Sequence, residues 1–124
     1  MRAAFIEMKE FTEWVADHLP DDVLAALQQE LMANPEAGDV IPGCGGLRKI
    51  RTVDPRRGKG KRAGNRVIYL HVPEAKWFFL LDVYGKDEKE DLTTSEKKWL
   101  AKLADRLRQE AKLAVDRRRR EGRT

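Results

Sequence analysis

The sequence has very little cysteine and histidine and no long apolar run. A single cysteine, Cys44, among 124 residues excludes an internal disulfide framework and fits a reducing compartment. Cys44 and the two histidines lie far apart, so no zinc-ligand spacing is present. No apolar run approaches the ~20 residues of a membrane-spanning helix, and residues 1–11 lack the apolar core of a secretion signal. We therefore expect a cytoplasmic protein with no membrane segment and no metal site.

Charge is distributed unevenly along the chain, although the net charge is only +4. Residues 1–45 contain nine acids and two bases, residues 46–84 ten bases and three acids, and residues 85–124 thirteen bases and nine acids. The densest segment, residues 47–66, has nine bases and a single acid. Both flanks of this segment have strand patterns, so the positive patch is expected on a sheet. Nucleic acid is therefore the leading partner class.

Apolar spacing predicts a helical hairpin near the N-terminus. A short strand over residues 3–8 precedes a helix over residues 9–19, and Pro20 both ends that helix and can open the next. Asn34-Pro35 stops the second helix, and residues 35–46, with two prolines and four glycines, are expected to form a loop. Strands follow at about 47–53, 65–72 and 77–84. The last strand, WFFLLDVY, is apolar on both faces, which favours a central, covered position.

A final helix is predicted from the capping box that Thr93 and Glu96 form. The predicted fold is α+β: an N-terminal helical hairpin packed on a small antiparallel sheet, with a C-terminal helix. We expect one domain over residues 1–116 and a basic tail over residues 117–124. The large aromatic residues are expected in the core, although one exposed tryptophan could stack on a base. They are Trp14, Trp77, Phe78, Phe79 and Trp99.

Three segments resemble the RelE/HigB superfamily of bacterial type II toxins, and its HigB-like branch in particular. They are GDVIPGCGGLRKIR (38–51), GKGKRAGNRVIYL (58–70) and LLDVYGKDEKEDLT (80–93). The resemblance covers about residues 2–108. It implies the fold predicted above and a ribosome-dependent endoribonuclease that cleaves messenger RNA without a cofactor. It also implies a small antitoxin partner, of the helix-turn-helix type, and operator DNA bound through the antitoxin complex.

The same resemblance implies a set of catalytic residues. Lys49 and Arg51 match two basic family positions on the strand before a basic hairpin, whose loop is predicted over residues 54–64. Arg66 matches a catalytic arginine, and Lys86 matches a lysine at the end of the last strand. Two positions depart from the RelE pattern: Asp87 replaces a functional arginine, and Thr93 replaces a tyrosine. Tyr84, on a different element, is the candidate substitute. The identity of the general acid and base therefore stays open.

The residue types suit metal-free RNA cleavage. Lysine and arginine can stabilise the negative charge that grows on the phosphoryl oxygens, and arginine can hold two oxygens at once. The remaining cations of the basic segment are expected to bind the RNA backbone, namely Arg48, Arg56, Arg57, Lys59, Lys61 and Arg62. The structural alternatives are solvated charges at strand ends and on a loop.

Two other functions remain open at this point. One is a non-catalytic toxin of the ParE type that acts on DNA gyrase, and the other is a basic nucleic-acid-binding regulatory module. Inhibition of DNA supercoiling would identify the ParE-type toxin. Nucleic-acid binding that weakens with salt, without growth arrest, would identify the regulatory module. Codon preference and complex stoichiometry do not follow from the sequence.

Overall fold

The structure, a computed structural model, describes residues 3–52, 64–85 and 92–122. Within them the chain forms eight elements in the predicted order, with one short strand added. They are β1 (Ala4–Glu7), α1 (Lys9–His18), α2 (Asp21–Ala33), β2 (Asp39–Val40), β3 (Arg48–Arg51), β4 (Arg66–Val72), β5 (Trp77–Tyr84) and α3 (Thr94–Glu121).

The strands form a single sheet in the order β1-β5-β4-β3-β2. The predicted α+β fold is confirmed, and the pairs from β2 to β5 are antiparallel. Strand β1 differs, because it pairs in parallel with β5. The added strand β2 lies in the segment predicted as loop, where two residues pair with β3. As the pattern of β5 indicated, this strand lies inside the sheet, between β1 and β4.

The sheet is covered on both faces. On one face, which we call the α3 face, residues of α3 pack on Leu47, Ile68, Leu70, Phe79 and Tyr84. On the other, which we call the hairpin face, α1 and α2 pack on Ile50, Val67, Tyr69, Phe78 and Leu80. Side chains alternate between the faces along β4 and β5, so each of these two strands contributes to both cores.

The helical hairpin forms where the sequence predicts it. Helix α1 buries Phe11 and α2 buries Leu27 and Leu31 against the hairpin face. Trp14 is an exception to the predicted core, because half of it is exposed. It lies on α1 three residues after Phe11, so helical spacing alone places it near the buried side, and its exposure could not be predicted from that spacing.

Helix α3 begins at the predicted capping box. The Thr93 side chain accepts a hydrogen bond from Glu96 N at 3.1 Å, and the Glu96 side chain accepts one from Thr93 N at 2.9 Å. Leu100, Ala104, Leu107 and Ala111 form its buried stripe. Trp99 is outside this stripe and largely exposed, so its predicted place in the core was wrong. The helix continues to Glu121, so the basic run expected to open a tail is helical.

No helix in the described ranges is long and apolar enough to cross a membrane.

Candidate active site

Three predicted site residues form a row across the sheet. Arg66 on β4 lies directly opposite Arg51 on β3 and directly opposite Tyr84 on β5. Directly opposed residues of neighbouring strands point to the same face and lie about 5 Å apart. Because Tyr84 belongs to the core under α3, all three side chains point to the α3 face. The register therefore gathers two guanidinium groups and a phenol from three separate segments of sequence.

Arg66 is unusually buried for an arginine, with only 5% of its surface exposed. Its Nη1 donates a hydrogen bond of 2.8 Å to Gly64 O. Its buried Nε finds no acceptor among the residues that the structure describes. A buried donor without an acceptor is costly in a folded protein. The Nε–H is therefore a candidate donor to a ligand.

The pairing of Arg51 with Arg66 is electrostatically unfavourable. Like charges directly opposite each other on neighbouring strands destabilise a sheet. Arg51 is exposed at its end of β3, so solvent reduces the repulsion without removing it. An anion held between the two guanidinium groups would turn the repulsion into attraction on both sides. The row is therefore suited to bind a phosphate.

A second row runs beside the first on the same face. Lys49 lies opposite Ile68, and Ile68 lies opposite Asp82 on β5. Asp82 reaches this face because an irregularity in the β4–β5 register leaves the adjacent Leu81 on the α3 face as well. Its Oδ1 accepts a hydrogen bond from Val83 N at 2.9 Å. Asp82 is the lone acid in an otherwise apolar strand, and this is the sequence feature that could have marked it. The sequence did not show the bulge, so it could not show to which face of the sheet Asp82 points.

At the base of the basic hairpin, β3 and β4 are fastened by Asn65, which no sequence motif singled out. Asn65 is 2% exposed, and its side-chain Nδ2 donates a hydrogen bond of 2.6 Å to His18 O at the end of α1. Its carbonyl accepts hydrogen bonds from the backbone N and the side-chain Oγ1 of Thr52, at 2.8 and 3.3 Å. These contacts hold β3, β4 and α1 together next to Arg66.

Arg48 points away from this row, to the hairpin face. Its Nη1 donates hydrogen bonds to Gly38 O at 2.8 Å and to Glu36 O at 3.4 Å. The neighbouring Tyr69 hydroxyl donates to Pro35 O at 2.8 Å and accepts from Gly38 N at 3.0 Å. Burial raises the pKa of Tyr69, so this phenol stays protonated and keeps its donated bond. Arg48 thus has a structural role, and its RNA contact stays a prediction.

Several predicted site residues lie outside the described ranges. They are Lys86 and the hairpin cations Arg56, Arg57, Lys59, Lys61 and Arg62, with Asp87 close by. Of the predicted catalytic set, the structure brings together Arg51, Arg66 and Tyr84, with Lys49 in the adjacent row. The side chain of Thr93, which stands at a family tyrosine position, caps the N-terminus of α3.

The described residues hold no group of three or more histidine, cysteine, aspartate or glutamate side chains that could bind a metal ion. Cys44 is fully buried in the loop before β3. The groups that this part of the chain offers at the candidate site are therefore guanidinium, ammonium, phenol and carboxylate.

Residues 4–123 match the family described as the RelE toxin of the RelE/RelB toxin–antitoxin system. The chain belongs to the RelE toxin family. Among solved structures, a mutant of the E. coli toxin RelE in its free state is similar, with 21% sequence identity and a TM-score of 0.48. That match covers 73% of this chain and 90% of the other.

Membership identifies the general role of the protein and one partner. It is a toxin of a type II toxin–antitoxin system, and an antitoxin is its expected partner. The resemblance of the three sequence motifs to the RelE superfamily is thereby confirmed.

Proposed function

We propose that this RelE-family toxin is a metal-independent endoribonuclease that cleaves messenger RNA on the ribosome and so stops translation in the cytoplasm. The observation that carries the proposal is the directly opposed Arg51–Arg66 pair on the α3 face. An anion between the two side chains would offset their repulsion, and an RNA phosphate is the anion that a basic toxin of this family would meet.

The proposed reaction is a transfer within the RNA. The 2′-hydroxyl attacks the adjacent phosphorus, the bond from phosphorus to the 5′-oxygen breaks, and a 2′,3′-cyclic phosphate and a 5′-hydroxyl form. Arg66 donates to the non-bridging oxygens, where charge increases in the transition state. Arg51 and Lys49 neutralise the scissile or the neighbouring phosphate.

Two protons must also move. One leaves the 2′-hydroxyl and one reaches the departing 5′-oxygen, and each transfer by a positioned side chain is worth ~10²–10⁴-fold. Tyr84 is the phenol beside Arg66 in the row and is our candidate for one of these transfers. Lys86, which follows β5 in sequence, is the second candidate from the family pattern. The ribosome would supply the remaining positioning of the message.

The proposed partners follow from this activity. The antitoxin would hold the toxin inactive, and the complex of the two would bind operator DNA through the antitoxin. The toxin alone would bind translating ribosomes and their messages.

The direct test is cleavage of a defined message on purified, programmed ribosomes. We expect wild-type protein to cleave it, and naked RNA to be cleaved far more slowly. Arg66→Lys keeps a positive charge but loses the planar fork, and Arg51→Ala removes one side of the pair. Loss of a donor to the developing charge typically costs ~10²–10³-fold, and we expect losses of that order.

Arg106→Ala is the matched control, because Arg106 is an exposed arginine on α3, outside the row. Its cleavage rate should equal that of the wild type. Equal rates for all three variants would refute the proposed site. Intact messages together with inhibited DNA supercoiling would refute the nuclease function itself.

A further inference from the structure

The C-terminal part of α3 carries a groove that the candidate active site does not use. From Lys112 to Gly122 every residue of this helix is exposed or half-buried. Between this part of α3 and the β4–β5 turn lies a cavity of about 260 Å³. We call it the α3–turn groove, and it is lined by Val72, Glu74, Arg108, Ala111, Lys112, Val115, Asp116 and Arg119.

Two further hollows continue this surface. One of about 340 Å³ includes Ala75, Lys76 and Arg118, and one of about 520 Å³ includes Leu113 and Arg120. Arg119 lines all three. Leu113 is 61% exposed, which is a large apolar exposure for a leucine. The three hollows thus form one surface, with exposed apolar side chains on it and arginines along its edge.

The charge around the groove is strongly positive. Arg117 to Arg120 are four consecutive arginines in the last turns of α3, and all four are exposed. Lys112 adds a fifth exposed cation, whereas Arg108 is already engaged by Gly45 O. Cations at a helix C-terminus are stabilised by the helix dipole, so charge there is tolerated without a partner. Their concentration beside an apolar groove selects for an acidic ligand.

The floor of the groove favours a protein ligand over RNA. Val72, Ala111 and Val115 offer apolar contacts that a phosphate backbone cannot use. Glu74 and Asp116 also line the groove, so the acidic groups of a ligand would lie at its arginine edge rather than over its floor. An amphipathic helix can place apolar side chains in such a groove and acidic ones on its edge.

We propose that the α3–turn groove is the docking site of an acidic, amphipathic segment of the antitoxin. This inference rests on the proposed function for the identity of the partner, and it adds where the partner binds. Arg66 and Val72 stand at opposite ends of β4, and their six-residue separation corresponds to ~20 Å. The groove therefore anchors the antitoxin at a distance from the cleavage row, so binding and cleavage depend on different residues.

The test uses the full toxin and the antitoxin of its own toxin–antitoxin system. Arg119→Glu reverses charge at the residue common to all three hollows, and Val115→Asp places a charge on the apolar floor. Arg106→Glu is the control, an equal charge reversal at an exposed position of the same helix outside the hollows. The Kd of each toxin for the antitoxin is measured by calorimetry, and message cleavage is measured on programmed ribosomes.

We expect both groove variants to bind the antitoxin about tenfold or more weakly, as central interface residues do, with unchanged cleavage. The control should match the wild type in both assays. Wild-type antitoxin affinity in Arg119→Glu and Val115→Asp would overturn the inference. Slower cleavage by Arg119→Glu with unchanged antitoxin affinity would also overturn it, because the surface would then contact RNA. Weaker antitoxin binding in a toxin that cleaves no message would support the groove and refute only the nuclease function.

Discussion

Arg66 and Tyr84 lie directly opposite each other on β4 and β5, and both are almost completely buried. Arg66 is held by the carbonyl of Gly64, two residues before it in the chain. Its guanidinium group is therefore oriented before any ligand arrives. A group already in place does not need to reorganise when charge develops beside it, and this is the main source of electrostatic stabilisation in enzymes.

Tyr84→Phe tests whether the phenol transfers a proton. The ring and its packing under α3 are kept, so the fold should be unchanged, whereas the hydroxyl is lost. If Tyr84 serves as an acid or a base, message cleavage on ribosomes should fall by ~10²–10⁴-fold. Tyr69→Phe is the comparison, because Tyr69 lies on the hairpin face and should lose stability but not the chemical step. Equal cleavage by Tyr84→Phe and the wild type would exclude Tyr84 from proton transfer.

Asn65→Ala should destabilise the domain at the base of the basic hairpin. It removes a buried hydrogen bond to His18 O. The expected loss in the free energy of unfolding is about 1–3 kcal/mol, measured by urea denaturation. The control is Asn34→Ala, since Asn34 also makes a side-chain bond, to Glu36 N, but at an exposed position. If Asn34→Ala lowers the free energy of unfolding as much as Asn65→Ala does, the buried hydrogen bond of Asn65 has no special weight in stability.

Thr93→Ala should weaken the start of α3 without changing the chemistry. The variant loses the cap to Glu96 N and should cost about 0.5–2 kcal/mol of unfolding free energy. Thr94→Ala, one residue further and outside the capping box, should cost less. At permissive temperature the Thr93→Ala protein should cleave messages at the wild-type rate. A large fall in cleavage for a folded variant would instead give Thr93 the role of the family tyrosine.

His71 should make the fold less stable in mild acid. Burial lowers the pKa of His71 below its ordinary value, and the nearby carboxylates of Glu74 and Glu36 oppose this only in part. Near and below pH ~6.5 the unfolded chain therefore binds a proton that the folded chain resists, so stability falls as the pH drops through this window. Urea denaturation from pH 7 to pH 5 should show a smaller loss for His71→Gln than for the wild type. Parallel curves would show that His71 contributes nothing to the pH dependence.

Many residues of the candidate site could be predicted from sequence, because successive side chains of a strand point to opposite faces of the sheet. The motif around Lys49 and Arg51 and the arginine before V-I-Y gave the residue types, and the resemblance gave their roles. The sequence pattern did not give the register, that is, which residues of neighbouring strands lie opposite each other. A shift by one residue would place Arg66 on the hairpin face, and only the observed pairing sets Arg51, Arg66 and Tyr84 in one row. Asp82 shows the limit well, because a bulge decides its face.

The N-terminal helices, the three main strands and the start of α3 followed from local features of the sequence, because apolar spacing, Pro20 and the capping box act over a few residues. Contacts between distant segments did not follow. The parallel pairing of β1 with β5, the exposure of Trp14 and Trp99, and the Asn65 clamp depend on which segments meet in space. The sequence thus determined the elements and the chemistry they carry, and the tertiary structure decided which of those groups lie side by side.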